Sequence, residues 1–304
     1  MTDALTADER MRIGVVLPIA GDDAGEGVPS YASIREVAIA AEEAGFDSVW
    51  VFDHLLFRFD GEESGIHECW TILAAIAEAT RRVELGTLVM CTGFRNAALL
   101  AKMAATLDHV SAGRLILGIG AGWHDPEFKA FGYPTDHRVS RFEGSLAVIT
   151  GLIREGRADV DGRYVTARDA LLLPRARPDL PILVAAKGPR MLELTARHAD
   201  AWNLAWFGMP DERLAGVRSE LAAACERVGR DPATLAITVG VTVRYSAPKT
   251  AATRPGLAGT PDEIAAGLRA HAAAGTDHLI ASLEPCTTDT VAAFAEAVSR
   301  LRAG

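Results

Sequence analysis

The sequence predicts an α/β protein folded as a (β/α)8 TIM barrel, and three observations lead to that class. Short apolar runs alternate with longer amphipathic segments along the chain, and there are eight runs of each kind. Strands that alternate with helices pair in parallel through right-handed crossovers. The 304 residues suit one barrel of this size, so residues 1–304 are predicted to form a single domain.

The apolar runs give the predicted strands, at residues 12–18, 48–52, 84–89, 115–119, 182–186, 201–204, 235–243 and 278–281. The predicted helices span residues 30–44, 68–80, 97–110, 136–154, 189–198, 211–228, 260–274 and 289–302. Several boundaries have local chemistry behind them. Gly45 and Gly275 are typical residues just past a helix end, and Thr260 with Glu263 is typical of a capped helix start.

Two segments are additional to the eight strands and eight helices of a minimal barrel. Residues 159–174 carry an Asp161-Gly162 turn signal between alternating residues, which predicts a β-hairpin insertion before strand five. Residues 246–259 form a long loop rich in Pro, Gly, Ala and Thr. Together with residues 60–67, this loop is expected to shape the substrate pocket, so the sequence does not identify the substrate.

Charge and cysteine content restrict the partners and the compartment. The net charge of -9 argues against a nucleic-acid partner, because phosphates attract a basic face. The four cysteines match no zinc spacing, and so few in a long chain predict a reduced, cytoplasmic protein. The first twelve residues are polar and no apolar run has the length of a membrane span, so neither a signal peptide nor a membrane partner is expected.

Active sites of such barrels lie at the carboxyl ends of the strands, which selects candidates directly. Strand two ends in Asp53 and His54, and His54 is the candidate catalytic residue. Its alternative role is a structural histidine bonded to a carbonyl group at the strand end. Strand four ends with Gly120, Gly122 and Trp123, where glycines allow close approach to a flat ring or satisfy a tight turn.

Strand five leads through Ala186, Lys187 and Gly188 into a helix that begins at Pro189. Free N–H groups at a helix start favour an anion, and Lys187 and Arg190 add positive charge. This pattern predicts a phosphate-binding turn, although an ordinary capped helix with solvated basic residues also fits. Lys187 is alternatively a Schiff-base lysine, which requires a depressed pKa that neither the neighbouring Gly188 nor Arg190 indicates.

No metal site is predicted. A metal-dependent barrel hydrolase needs His and Asp ligands on several strand ends, and strand one ends in Leu17-Pro18-Ile19-Ala20, which offers none. The chain also lacks the GxSxG sequence of a serine-hydrolase elbow.

Three stretches together resemble the bacterial luciferase-like flavin oxidoreductases: "GFDSVWVFDHLLF", "RVELGTLVMCTGFRNAALLAKMAATLDHVSAGRLILGIGAGWHDPEFKAFG" and "PILVAAKGPRMLELTARHADAWN". The resemblance runs from residue 12 to about residue 298, and residues 111–123 are its most specific part. It implies a flavin-type ring across the barrel mouth, with a non-prolyl cis peptide near Val89–Met90 or the next bond. It also implies a phosphate at the strand-five turn and His54 at the reacting edge of the ring, with Asp53 among the cofactor-binding residues.

The resemblance leaves two cofactors open. Reduced FMN with O2 implies a monooxygenase acting on a small organic substrate and supplied by a separate flavin reductase. Coenzyme F420 implies hydride transfer without O2, with His54 as acid or base. FMN is the expected cofactor and F420 the alternative, although a serine-rich turn common among FMN monooxygenases is here Ala-Lys-Gly-Pro. A cofactor-binding protein without catalysis is a third possibility, and a homo-oligomer is expected from the family.

Overall fold

A computed structural model describes residues 10–21, 27–59, 62–246 and 255–303. Eight strands form the barrel: β1 Arg12–Val16, β2 Ser48–Val51, β3 Glu84–Thr87, β4 Leu115–Gly120, β5 Ile182–Ala185, β6 Ala201–Phe207, β7 Ala236–Arg244 and β8 His278–Glu284. All neighbouring pairs are parallel, in the order β5-β6-β7-β8-β1-β2-β3-β4. Pairing of β4 with β5 closes the sheet, so the predicted (β/α)8 barrel is confirmed.

The helices are α1 Tyr31–Glu43, α2 Cys69–Ala79, α3 Ala97–Val110, α4 Asp125–Ala130, α5 Arg138–Thr150, α6 Pro189–His198, α7 Glu212–Val228, α8 Pro261–Ala273 and α9 Thr288–Ala303. Helix α4 was not predicted. The helix expected at residues 136–154 ends earlier, because Gly151–Glu155 forms a π-helical turn. Thr260 and Glu263 form the expected capping box at the start of α8. Among the described helices, none is both long and apolar enough to cross a bilayer.

Two strands run three residues further than predicted. Strand β6 continues past residue 204 to Phe207 after a register irregularity against β7, and β8 continues past residue 281 to Glu284. Their added residues keep pairing with β7, because β7 itself is nine residues long. The extra length carries Trp206 beyond the point, near Asn203, where the sequence placed the strand end.

Several short strands are additional to the eight strands of the barrel. Strands Arg157–Asp161 and Thr166–Leu171 pair antiparallel between α5 and β5. After β2, Phe57–Phe59 pairs antiparallel with Glu62–Ser64. The second of these strands lies in the predicted loop 60–67, of which residues 60–61 lie outside the described part. In the predicted loop 246–259, Leu257–Ala258 pairs with β7 and residues 247–254 lie outside the described part. Residues 1–9 of the polar N-terminal segment lie outside it as well.

A tryptophan occupies the half of the barrel interior that lies away from the carboxyl ends of the strands. Trp50 of β2 is fully buried, and its ring lies where side chains on Gly14 and Gly86 would otherwise stand. A Cβ on Gly86 would come within 2.1 Å of the indole, so only glycine leaves room for this ring. The indole N–H donates to Ser48 Oγ at 2.7 Å. This end of the barrel is therefore closed by packing.

The carboxyl end of the barrel is lined differently. Phe52, Leu88, Val89 and Trp206 are partly buried and pack on the interior cluster that contains Trp50. These four residues, the apolar floor, follow or end strands β2, β3 and β6. The mouth of the barrel is consequently apolar at its base.

Candidate active site

His54 lies at the mouth, just beyond β2, and is bound to a buried carboxylate. Its Nδ1–H donates to Glu127 Oε1 at 2.8 Å, since an ionised carboxylate only accepts. The His54 side chain keeps 14% of its surface exposed, whereas that of Glu127 keeps 1%. Nε2 of His54 makes no hydrogen bond to any described residue. One ring nitrogen is thus anchored in the protein, and the other has no hydrogen-bond partner among the described residues.

Glu127 is a site residue that the sequence did not reveal. It belongs to α4, and its second oxygen, Oε2, accepts from the backbone N–H groups of Leu55 at 2.8 Å and Leu56 at 3.5 Å. The carboxylate therefore fastens the segment after β2 to the segment after β4. Its position fixes the ring orientation of His54, in the way that second partners orient catalytic histidines.

Asp53 points the opposite way from His54, into the protein. Its carboxylate forms a two-point ion pair with Arg95, at 2.5 Å and 3.0 Å, and accepts from the Cys91 N–H at 2.9 Å. Arg95 was not singled out from the sequence, yet it neutralises this buried acid. Because these partners already hold the Asp53 carboxylate, its described contacts position the strand ends. Cofactor binding by Asp53 stays a prediction.

The same network explains a cluster with metal-ligand chemistry. Ligand atoms of Asp53, Glu68 and Cys69 lie within 4.8 Å of one another. Arg95 also donates to Glu68 Oε1 at 2.7 Å, so a guanidinium already stands beside both carboxylates. Burial raises the pKa of the Cys69 thiol well above its usual range, which keeps it protonated. The arrangement is that of an ion-pair network.

Aromatic rings surround the free side of His54. Phe57 lies 4.6 Å from its ring centroid and Trp123 lies 5.5 Å away, edge-on. Phe59 stacks on Trp123 at 6.1 Å with an interplanar angle of 23°. His124 is buried behind them, where its Nε2 accepts from the Arg58 N–H at 3.2 Å. Burial lowers the pKa of His124, which is consistent with a neutral acceptor ring.

The glycine that ends β4 and the one just beyond it both serve packing. A Cβ on Gly120 would come within 2.8 Å of the Val89 side chain. Gly122 has φ of +77°, and a Cβ there would meet Cys91 and Phe128 at 2.6 Å. Protein side chains thus occupy the space beside both glycines, as the tight-turn interpretation expects, and their predicted cofactor contact stays a prediction.

The non-prolyl cis peptide lies at Leu88–Val89, one bond earlier than the Val89–Met90 position expected from the resemblance. A second one joins Ala205 to Trp206 and was not expected. Val89 belongs to the apolar floor, but Met90 is fully buried against Cys69, with its sulfur 3.6 Å from the thiol. The Met90 side chain therefore faces the core, which leaves only its backbone near the mouth.

The turn after β5 has the openness that an anion requires. Gly188 has φ of +83°, and no atom lies within 4 Å of the place of its absent Cβ. Pro189 begins α6 and the Lys187 side chain is exposed, without the apolar pocket of a Schiff-base lysine. Arg190 pairs with Glu143 and donates to Ser140 Oγ at 3.1 Å, so it is partly committed to α5. Ala186 is buried, and its carbonyl accepts from Trp202 Nε1 at 2.9 Å.

The predicted site segments therefore share one end of the molecule, at the carboxyl ends of β2, β4 and β5.

A family model described as luciferase-like monooxygenase matches residues 11–255. The chain belongs to this family. Similar curated relatives include an F420-dependent glucose-6-phosphate dehydrogenase of Amycolatopsis mediterranei (strain U-32), 35% identical over 55% of this chain and 51% of its own. A phthiodiolone/phenolphthiodiolone dimycocerosates ketoreductase of Mycobacterium sp. (strain JLS) is 36% identical over 68% of this chain and 61% of its own.

The alignments span about half to three-fifths of the length of these relatives. Solved structures match nearly the whole chain. An F420-dependent secondary alcohol dehydrogenase, in complex with an F420-acetone adduct, superposes with a TM-score of 0.80 and 19% identity, covering 96% of this chain and 99% of its own. A monooxygenase from Streptomyces bottropensis superposes with a TM-score of 0.77 and 26% identity, covering 95% and 99%. The first likeness shows the fold alone.

Proposed function

We propose that this protein is an F420-dependent oxidoreductase that transfers a hydride between the deazaflavin and a small organic substrate. The observation that carries the proposal is the His54–Glu127 pair, which holds an unbonded imidazole nitrogen over the mouth of the barrel. Hydride transfer to or from an oxygen-bearing carbon needs a proton acceptor or donor at that oxygen, and an imidazole nitrogen can serve in either role.

The residues at the mouth fit a planar ring that carries a phosphate. The apolar floor, with Phe52 and Trp206 among its members, offers flat hydrophobic surface for the ring. The start of α6 offers free N–H groups, an open position at Gly188 and the exposed Lys187 for the phosphate. The proposal retains Ala186 and Pro189 as the residues that shape this turn.

When bound, coenzyme F420 supplies the acceptor or donor of the hydride. In the oxidative direction, His54 Nε2 takes the proton of the substrate hydroxyl while the carbon gives up its hydrogen with the electron pair. The buried Glu127 carboxylate stabilises the imidazolium that forms and keeps the proton on Nδ1. The apolar floor would lie beneath this step, and an apolar base disfavours water at the reacting atoms.

The comparisons favour F420 over the FMN expected from the sequence, because both curated relatives described above are dehydrogenases or ketoreductases and one is named for F420. The FMN- and O2-dependent monooxygenase is the second candidate, and the likeness to the Streptomyces bottropensis monooxygenase favours it. Only that second function calls for a flavin reductase as partner. A homo-oligomer and a cytoplasmic location remain proposals on the sequence grounds given above.

Parallel fluorescence titrations with F420 and FMN test the cofactor. We expect tighter binding of F420, and a weaker F420 affinity in Lys187→Ala than in Lys129→Ala, which removes an exposed lysine from α4. Anaerobic bleaching of F420 by an alcohol substrate is the expected sign of hydride transfer. Tighter binding of FMN together with O2-dependent turnover would establish the second candidate instead.

A further inference from the structure

A cleft next to the predicted phosphate-binding turn takes no part in the function proposed above. It encloses about 450 Å³ between the first two turns of α5 and residues 162–165, which join the two short strands that follow α5. We name this space the α5 cleft. Ser140 and Glu143 line it, and Arg190 at the start of α6 contacts both, with 3.1 Å from its Nη1 to Ser140 Oγ. The α5 cleft therefore adjoins the turn where the phosphate is proposed to bind.

Specific contacts hold the two walls of the α5 cleft in place. Tyr164 stacks on His137 with ring centroids 5.1 Å apart, and the guanidinium of Arg141 lies 4.6 Å from the centre of the Tyr164 ring. Contacts between a cation and an aromatic face of this kind are attractive. A Cβ on Gly144 would come within 3.0 Å of the Val165 side chain, so the missing side chain lets residues 162–165 pack closely on α5. The shape of the cleft is therefore built into the fold.

The charges around the α5 cleft leave one arginine in excess. Among the described residues that line the cleft, Glu143 is the one acid, and Arg190 neutralises it. Asp136, which lies just before α5, is paired with Arg141 at 3.0 Å. Arg163 lines the cleft and forms no ion pair with a carboxylate in the described part of the chain. The cleft is thus locally basic on a chain whose net charge is -9.

Two groups in the α5 cleft can donate hydrogen bonds to an anion. The Ser140 hydroxyl oxygen accepts from Arg190, which leaves the hydroxyl hydrogen available to a ligand. The exposed guanidinium of Arg163 offers N–H groups that match both oxygens of a carboxylate. These donors lie on opposite walls, so they suit a chain that carries more than one carboxylate.

We infer that the α5 cleft binds the acidic chain that follows the phosphate of coenzyme F420. This inference rests on the proposed function. The cofactor continues beyond its phosphate, through lactate, into a chain of glutamate residues, whereas FMN ends at the phosphate. From a phosphate at the start of α6, the chain would pass Ser140 and reach Arg163 on the opposite wall. Because the chain is joined to a bound phosphate, each weak carboxylate contact is intramolecular and adds to the affinity.

The α5 cleft is then a specificity-determining region that favours F420 over FMN. Fluorescence titrations at low ionic strength test it without turnover, using F420 with its glutamates and F420 from which the glutamates have been removed. We expect the natural protein to bind the full form more tightly by about fivefold or more, the equivalent of one or two exposed polar contacts. The difference should shrink as salt is added.

Arg163→Gln locates the contact. It is expected to weaken binding of the full form about two- to five-fold, the range for one exposed ion pair, and to leave binding of the shortened form unchanged. Arg157→Gln is the matched control, because Arg157 belongs to the same pair of strands but lies at the end away from residues 162–165, where it pairs with Asp169 at 3.9 Å. Thermal melts of both variants establish that each is folded.

Equal affinity of the natural protein for the two forms of F420 would overturn the inference. So would equal losses of affinity for the full form in Arg163→Gln and Arg157→Gln. Either result leaves the proposed function standing, because the ring and the phosphate still bind. If the protein bound neither form, the proposed function would be overturned and this inference with it.

Discussion

Two histidines at opposite ends of the same barrel show how position decides chemistry. His54, beyond the carboxyl end of β2, shares Nδ1 with a buried carboxylate and leaves Nε2 open. His278, the first residue of β8, is fully enclosed at the other end, where its Nε2 is hydrogen-bonded to Ser48 Oγ at 2.8 Å. Its Nδ1 is buried without a hydrogen-bond partner among the described residues.

The two imidazole rings differ in their burial and in the groups that surround them. Burial holds the pKa of His278 well below its ordinary value, with a further contribution from nearby Arg12, so this ring stays neutral and packs edge-on against Trp50 at 5.5 Å. His54 has a carboxylate to stabilise a positive charge and an open face to exchange a proton. The comparison therefore supports the proposed catalytic role of His54 and a packing role for His278.

The variant with the largest expected effect on this comparison removes the imidazole ring that we propose to be catalytic. His54→Ala is expected to lower kcat by about 10²- to 10⁴-fold, the range for losing a general acid or base. The melting temperature should change little, because His54 is partly exposed. Steady-state kinetics with the cofactor and an alcohol substrate of the proposed function, beside a thermal melt, measure both. A large fall in melting temperature with normal turnover in the folded fraction would make His54 structural.

Removing the other ring should give the reverse result. His278→Ala leaves a cavity beside Ser48 and Trp50, which is expected to cost about 2–4 kcal/mol of unfolding free energy. Turnover per folded molecule should stay at the level of the natural protein. Urea titration and active-site-normalised kinetics test this pair of expectations. A turnover loss comparable with that of His54→Ala would erase the contrast between the two residues.

A finer test addresses the partner of His54. In Glu127→Gln the amide can donate to Nδ1, which moves the ring proton to Nε2 and removes the base. We expect kcat to fall about tenfold or more, with a changed pH profile. Asp125→Asn is the matched control on the same short helix, since Asp125 is exposed and pairs with Arg138 instead. Equal kinetics in the two variants would show that Glu127 does not orient His54.

The smallest expected effect is on the pH dependence of stability. The lowered pKa of His278 means that the unfolded chain binds a proton near pH 6.5 that the folded chain does not bind. Unfolding free energy should therefore fall as pH drops below about 6.5, by up to about 1.4 kcal/mol per pH unit for this residue. Urea titrations at several pH values measure the slope, and His278→Ala should reduce it. An unchanged slope would mean that His278 does not contribute.

The barrel was predictable because its signal is repeated and local. Each strand is a short buried run, and several helices carry their own start or stop, such as the Gly45 end with φ of +84°. Helix α3 and helix α6 begin and end at the predicted residues. Active sites of such barrels lie at the carboxyl ends of the strands, which led to His54 and Trp123 as candidates. The structure places the centroids of their rings 5.5 Å apart.

The partners of these residues were harder to find, because they are distant in sequence. Glu127 lies 73 positions from His54, on a helix of six residues that is too short to show a period. Arg95 was detectable in principle. It follows strand three, and a cation there is expected to lie near an acid at the end of the neighbouring strand two. Side-chain direction, which sends Asp53 inward and His54 to the mouth, was not readable from the pattern.

The Trp50 indole fills the barrel interior below the mouth, and this packing has a consequence for the order of ligand binding. The ring packs against the glycines at positions 14 and 86, so the space for ligands lies at the carboxyl end of the barrel. Under the proposed function, the cofactor and the substrate would both bind there. We therefore expect ordered binding, in which the more deeply bound molecule binds first and dissociates last.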